Sequence, residues 1–339
     1  MYNILKMQRK GVGSLKTSTQ PAVKQDALPR APQAPGFFGQ FKLYKKHFPL
    51  VVMLFPVVLY FIIFKYVPMA GLTMAFKDFQ IAKGIWASPW VGLKYFEKAF
   101  KSRTFMRAFG NTLSISFLKI LIGFPMPIVL ALMLNEVRSQ RYKKLIQTVS
   151  YLPHFLSWVV VAGFLTQLLS PNNGAINYAL VNFFGVEKPI FFLGDNAYFR
   201  GTLIVSDIWK DVGWGSVLYI ATIAGISPEL YEAAVVDGAN RWQRLWNITI
   251  PSLMPTITIM LILRVGGVLD AGFDQVFNLY NSAVYKTGDI IDTFVYRYGL
   301  GDMQYSFSTA VGLFKNVIGF VLVIVTNTIT NKINGSGIW

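Results

Sequence analysis

Six stretches of this chain are apolar for about twenty residues at a time, a length that matches the roughly 30 Å of hydrocarbon a helix must cross. They fall near 48–67, 111–135, 146–169, 201–225, 252–279 and 305–329. In hydrocarbon every backbone polar group has to be satisfied within the spanning element, so runs of this kind select helices. With 53% of residues hydrophobic and only 14% charged, an integral membrane protein fits better than two soluble domains of the same total length.

Lys and Arg orient these helices, because basic loops resist transfer across the membrane. An even number of spans puts both termini on one side. With that side cytoplasmic, the inner segments hold 16 basic residues: nine in 1–47, four in 138–144, and Arg241, Arg244 and Lys332. The outer side holds 11, seven of them in the one long segment 70–108, where charge counts least for insertion. The formal charge of +16 is therefore spread over membrane-flanking segments rather than gathered on one soluble face, which argues against nucleic-acid binding. Residues 1–47 lack apolar periodicity and carry Pro21, Pro29, Pro32 and Pro35 among scattered Lys and Arg. They are expected to form a largely flexible basic tail that contacts anionic membrane lipid. No apolar h-region precedes residue 48, so the first span is expected to serve as the insertion signal. Residues 333–339 are expected to form a short cytoplasmic tail.

Several chemistries are missing from the chain. It has no glycine-rich loop ending in Gly-Lys-Ser/Thr, no H-E-x-x-H and no nucleophile elbow, and it contains no cysteine. No catalytic residue, metal ligand or bound cofactor is expected, and the chain is not expected to hydrolyse ATP. The two histidines are His47, beside Lys45 and Lys46 at the membrane surface, and His154, after Pro153 at the cytoplasmic start of the third span. Both are expected to be packing or interfacial residues.

The polar stretch between the fourth and fifth runs predicts a helix, a glycine turn and a second helix. Ser227 is placed to cap a helix whose first turn holds Pro228 and Glu229, and Gly238 is placed to stop it. Asn240 offers a second cap. Trp242, Leu245 and Trp246 then follow at i, i+3, i+4 spacing on a short helix expected to run into Pro251.

The pattern Glu232, Ala233, Ala234, Gly238, Ile248, Pro251 resembles the signature loop of ABC importer permeases, with Ile250 where that family usually has Leu. That departure is a volume-conserving apolar swap. The segments Trp90–Phe96, Gly110–Leu113, Tyr151–Phe155, Asn172–Asn177 and Ile208–Lys210 are similar, in the same order, to the carbohydrate-uptake branch. The ending TNTITNKINGSGIW and the run IIFKYVPMAG look closest to permeases for oligosaccharides from complex polysaccharides, including uronic-acid polymers such as alginate.

The resemblance implies an all-α transmembrane domain of the type I importer class over 48–332, with six spans and a cytoplasmic coupling loop at 226–251. In such a protein the helix around Glu232–Gly238 sits in a cleft of a separate ATPase subunit and moves with it. Glu232, Ala233, Ala234, Asp237 and Gly238 are the expected coupling residues. The alanines let another backbone approach closely, Glu232 accepts hydrogen bonds, and Gly238 permits a tight reversal. Asp237 either touches the ATPase or only closes the helix end. The resemblance further implies ATP and Mg on two partner ATPase subunits, a second homologous permease and an extracytoplasmic solute-binding protein. It places the chain in the bacterial cytoplasmic (inner) membrane.

Ionisable groups inside a span cost roughly 2.5–3.5 kcal/mol at the bilayer centre unless paired or hydrated, so they are expected to face protein or water. Span four holds Asp207, Lys210, Asp211 and Trp214, and span two holds Lys119. Span five holds Arg264, then Asp270, Asp274 and Asn278 every four residues, predicted to line one face; span six holds Lys315 and Asn316. A cavity rimmed by Asp270, Asp274, Asn278, Trp214 and Asn316 would suit a carbohydrate, while Lys210, Arg264 and Lys315 would suit carboxylates. Alternatively, Asp207 with Lys210, or Lys210 with Asp211, only neutralise each other. Outside the spans, 70–108 with Trp86, Trp90, Tyr95 and Phe96 is expected to lie flat as a scaffold in preference to docking the binding protein directly, and 280–302 with Asp289, Asp292, Tyr296 and Arg297 is an alternative contact zone. Two other readings stay open: a secondary transporter driven by an ion gradient, and a membrane scaffold with no transport role.

Overall fold

A computed structural model describes residues 48–334, so the expected tail 1–47 and the residues after 334 lie outside them. Among the described residues every regular element is a helix, apart from one isolated antiparallel bridge between Lys77 and Trp90. The chain divides into two compact units, the first ending at Tyr66 and the second beginning at Val67. In the first unit, helix α1 (Phe48–Phe61) continues as a π-helical turn, Ile62–Tyr66.

In the second unit, α2 (Lys94–Lys101) precedes α3 (Arg103–Leu118), which a π-helical turn at Lys119–Gly123 joins to α4 (Pro125–Glu136). The pair α5 (Gln140–Tyr151) and α6 (Trp158–Leu168) follows, then α7 (Ala175–Phe184) and the long α8 (Asn196–Ala224). The loop helices α9 (Pro228–Val236) and α10 (Arg241–Arg244) lead into α11 (Ile250–Gly266). Two short helices, α12 (Phe273–Leu279) and α13 (Ile291–Tyr296), precede the closing α14 (Tyr305–Asn334).

Among the described residues, four helical stretches are long and apolar enough to cross a membrane: Phe48–Phe76, Arg103–Glu136, Arg241–Gly266 and Tyr305–Lys332. The bent pair Gln140–Phe155 and Trp158–Leu168 makes five if it counts as one span. The expected count of six apolar spans is thus not reproduced. Helix α8 has the length, about 43 Å at 1.5 Å per residue, but Asp207, Lys210 and Asp211 in its middle interrupt the apolar run.

Two expected spans are also cut differently. The third bends by 104° because Pro153 turns the end of α5 into a 3-10 turn and the Ser157 hydroxyl caps a fresh helix, accepting from the Val160 amide at 3.4 Å. The fifth stops at the Gly266-Gly267 pair, and the next helix begins only after Gly272, whose φ of +89° is a left-handed value suited to glycine. Asp270 therefore does not share a helical face with Asp274 and Asn278, contrary to the four-residue spacing.

Buried apolar residues form three clusters. The two larger ones join α3, α6, α8, α12, α13 and α14 around Phe199, Leu203 and Val276, and around Phe105, Phe294 and Phe307. The smallest, Ala131, Tyr219, Ile223 and Leu253, lies where α4, α8 and α11 run toward the loop helices. Helix α8 crosses α5 so closely that a Cβ at Gly213 would collide with the Ser150 carbonyl oxygen, a backbone atom that cannot swing away. Gly213→Ala is accordingly expected to destabilise the chain by ~1–3 kcal/mol, the usual cost of overpacking. An unchanged melting temperature of the detergent-purified variant would refute this.

Candidate functional site

The loop helix α9 begins with Pro228 at a position where its fixed φ suits a helix start, and Glu229 lies in its first turn. Ser227 precedes it, but its side chain makes no capping bond. The helix ends in a paired glycine cap: the Gly238 amide donates to the Val235 carbonyl at 3.0 Å and the Ala239 amide to the Ala234 carbonyl at 2.8 Å. Gly238 has φ +79°, the left-handed value that this cap requires. Asn240 and Gln243 then cap each other reciprocally, at 2.9 and 2.7 Å. The second helix is not the separate short one predicted. A π-helical turn at Leu245–Thr249 carries it past Pro251 into α11, because the wider turn accommodates a ring that cannot donate.

Glu232, Ala233, Asp237 and Gly238 are exposed on this loop and Ala234 is partly buried. Leu230, Val235, Val236, Trp242 and Trp246 are all more than half exposed. A loop held in one conformation by caps at both turns, yet presenting so much apolar surface, has the character of an interaction site. The Tyr231 and Thr249 hydroxyls, 2.9 Å apart, tie α9 back to the start of the fifth span.

Between the helices, several charges are paired. Lys119 Nζ donates to Asp207 Oδ1 and to Gln275 Oε1, each at 2.6 Å. Gln275 is fully buried and donates in turn to the Leu203 carbonyl at 2.7 Å and to Ser206 Oγ at 2.8 Å. Arg264 Nη2 stands 3.6 Å from Asp207 Oδ2, and both residues line a cavity of about 330 Å³ with Phe124, Asp211 and Tyr219. Asp207 thus pairs with Lys119, not with Lys210 as the spacing along span four suggested.

Lys210 instead serves the break in the third span. It is buried, and its Nζ donates to the His154 carbonyl at 2.7 Å. Asp211 Oδ1 lies 2.7 Å from His154 Nδ1, and the Trp214 ring stacks on the imidazole with centroids 4.9 Å apart. Three residues of α8 therefore converge on one histidine.

A second cavity, of about 580 Å³, opens between α13 and α14 and is lined by Asp270, Asp292, Tyr296, Tyr305, Lys315 and Asn316, among others. Lys315 Nζ bridges both Asp292 oxygens at 2.6 and 2.7 Å. Burial pushes the Asp292 carboxyl above its ordinary pKa, against the pull of the Lys315 hydrogen bond and charge. Of the eight pathway residues predicted, Asp270, Lys315 and Asn316 meet here and Arg264 lines the other cavity. Lys210 and Trp214 are at His154, and Asp274 and Asn278 stand together on α12, where Asn278 Nδ2 donates to the Asp274 carbonyl at 2.7 Å. Gln275, the hub of the Lys119 pairing, was missed; an amide within an apolar run was the signal.

Away from the loop helices, side chains bind distant segments together. Asp289 is fully buried and accepts from Arg297 at 3.2 and 2.7 Å and from Thr293 Oγ1 at 2.9 Å. Asn111 Nδ2 donates to the Asp289 carbonyl at 3.0 Å, and Arg200 joins Asn111 Oδ1 at 2.8 Å to the Thr287 carbonyl at 3.1 Å. Asp289 and Arg297, expected in a contact zone, are internal struts. The segment 70–108 packs on α14, where Ser306 Oγ accepts from the Phe79 amide at 2.9 Å and donates to the Lys77 carbonyl at 2.6 Å. Tyr95 donates to Asp78, and burial together with that carboxylate raises the phenol to about 12.

A family model described as a binding-protein-dependent transport system inner membrane component matches residues 123–335. Protein LplB of Bacillus subtilis (strain 168) is 44% identical over 290 residues, 86% of this chain and 91% of LplB. The polygalacturonan/rhamnogalacturonan transport system permease protein YteP of the same organism is also 44% identical over 290 residues, 86% of this chain and 90% of YteP. Among solved structures, a bacterial ABC transporter involved in the import of the acidic polysaccharide alginate contains a chain with 43% identity and a TM-score of 0.81, over 87% of this chain and 99% of that one. The bacterial alginate ABC transporter in complex with alginate pentasaccharide-bound periplasmic protein gives the same identity and TM-score over 88% and 99%.

Proposed function

The chain belongs to the family of binding-protein-dependent transport system inner membrane components, and on that premise we propose that it is a permease subunit of an ATP-driven carbohydrate importer. It forms half of a passage that opens alternately to the two sides of the bacterial cytoplasmic membrane, with both termini in the cytoplasm. The observation that carries this reading is the loop Pro228–Arg244: a short exposed helix locked by a glycine cap, then a turn and a second helix that runs without interruption into a membrane span. Such a part transmits force. The chain has no phosphate-binding motif of its own, so hydrolysis falls to two ATPase subunits, with Glu232, Ala233, Ala234, Asp237 and Gly238 at the contact. A second homologous permease supplies the other half, and a solute-binding protein delivers cargo from outside.

The cavity of Asp270, Asn316, Tyr296 and Tyr305 supports a carbohydrate cargo, because sugars are held by planar hydrogen-bonding groups against aromatic rings. Lys315 and Arg264 line the cavities beside aspartates that they pair with, so an acidic oligosaccharide would be held by replacing those carboxylates as partner. The names of the relatives at 43–44% identity, which include a polygalacturonan and an alginate transporter, support the same class. Reconstitution of the chain with its genomic neighbours tests the reading. Uptake and ATP hydrolysis are expected to rise together when the cargo-loaded binding protein is added. Uptake that ignores ATP and collapses with an ionophore would instead indicate a secondary transporter, and no uptake under either condition would indicate a scaffold.

A further inference from the structure

A third cavity, of about 340 Å³, lies beside the coupling loop, where the end of α4, the helix α9 and the start of the fifth span meet. Its charged lining is Glu136, Arg138, Arg241 and Arg244. Glu136 stands 3.7 Å from Arg241, and both are largely exposed, so that pair is loose. Arg244 has neither an ion pair nor a side-chain hydrogen bond among the described residues, and its Nε is sealed from solvent without an acceptor. A guanidinium cannot escape burial by losing its proton, so this partly buried one, its Nε sealed and unpaired, favours an anion at its remaining nitrogens. Its planar fork matches the oxygens of a phosphate, and three arginines against one glutamate leave the cavity positive.

Position narrows the source. The cavity sits where two apolar helices, Arg103–Glu136 and Arg241–Gly266, both reach their ends, which is the depth of the membrane surface. Trp242 and Trp246, 71% and 62% exposed, flank Arg244 in sequence and are residues of the interfacial type. The geometry points to a binding site for a phosphate oxyanion, held by Arg244 with Arg138 and Arg241, and filled at this depth by the headgroup of an anionic phospholipid. An occupant here touches α4, Tyr231 of α9 and the fifth span at once, and so fixes the angle at which the coupling helix hangs.

The test uses the full chain in detergent, titrated with phosphatidylglycerol or phosphatidylcholine under native mass spectrometry, and with inorganic phosphate in a calorimeter. One phosphatidylglycerol is expected to bind Arg244→Gln roughly tenfold more weakly than the unaltered chain, with Arg244→Lys intermediate and phosphatidylcholine indifferent. The same tenfold difference seen with inorganic phosphate alone would keep the oxyanion site but make its source soluble. Equal binding of both probes by a variant with an unchanged melting temperature would overturn the inference. So would an Arg244→Gln chain that loses only capture of the ATPase subunits, because the counter-ion is then a partner's carboxylate. Should Arg244→Gln fail to fold, Arg138→Gln and Arg244→Lys provide the same comparison.

Discussion

Replacing Glu232 by Ala, or Gly238 by Leu, is expected to lower uptake roughly 30-fold and to break the link between transport and ATP hydrolysis, the size of effect produced by losing about 2 kcal/mol at a central contact. The two changes act by different routes. Glu232 is exposed, so its loss removes an acceptor from the docking surface and leaves the fold alone. Gly238 has open space where a Cβ would point, and its substitution therefore acts only through the backbone: a leucine at φ +79° strains the cap by about 1–2 kcal/mol and turns α9 away from its partner. Insertion and delivery of cargo by the binding protein should be unaffected. Measuring uptake, ATP hydrolysis and pull-down of the ATPase subunits side by side separates these effects. ATP-tight transport in both variants would remove the coupling role assigned to the loop.

Asp207→Leu should be the most damaging single change to stability, at ~3–5 kcal/mol, because it strands the buried ammonium of Lys119 and takes from Arg264 its nearest carboxylate. Water cannot readily compensate, since Lys119 is 4% exposed. The double variant Lys119→Met with Asp207→Leu should recover much of the loss, as Arg264, which still lacks its carboxylate, is half exposed and no fully buried cation is stranded. Thermal unfolding in detergent decides this, and a double variant as unstable as Asp207→Leu alone would contradict it. A double variant that is stable but fails to transport would place the pair in the cargo path as well as in the scaffold.

Apolar run length made most of the spanning helices legible in the sequence, and Pro, Gly and Asn at their fixed offsets marked the loop helices, because both are local properties of the chain; Ser227, placed as a cap by the same reasoning, makes no capping bond. The breaks were less legible. Pro153 and the Gly266-Gly267 pair lie inside runs that stay apolar on both sides, so hydrophobicity continues where the helix does not. The π-helical turn before Pro251 worked in the opposite sense, joining what the proline seemed to separate. Pairings among buried charges were least legible. Lys119 and Asp207 are 88 positions apart, and nothing local in span four distinguishes that partner from Lys210 three residues away. The candidate cavity shows the same limit: Asp270, Lys315 and Asn316 belong together only because α14 returns past the turn after α11.

The convergence of Lys210, Asp211 and Trp214 on His154 has a kinematic consequence. Contacts with a backbone oxygen, a ring nitrogen and a ring face act from three directions and together resist rotation of the attached segment. The 104° corner beside it is therefore braced against the long helix. A roll of Asn196–Ala224 about its axis would pull on that brace, so the long helix and the broken one before it are mechanically coupled.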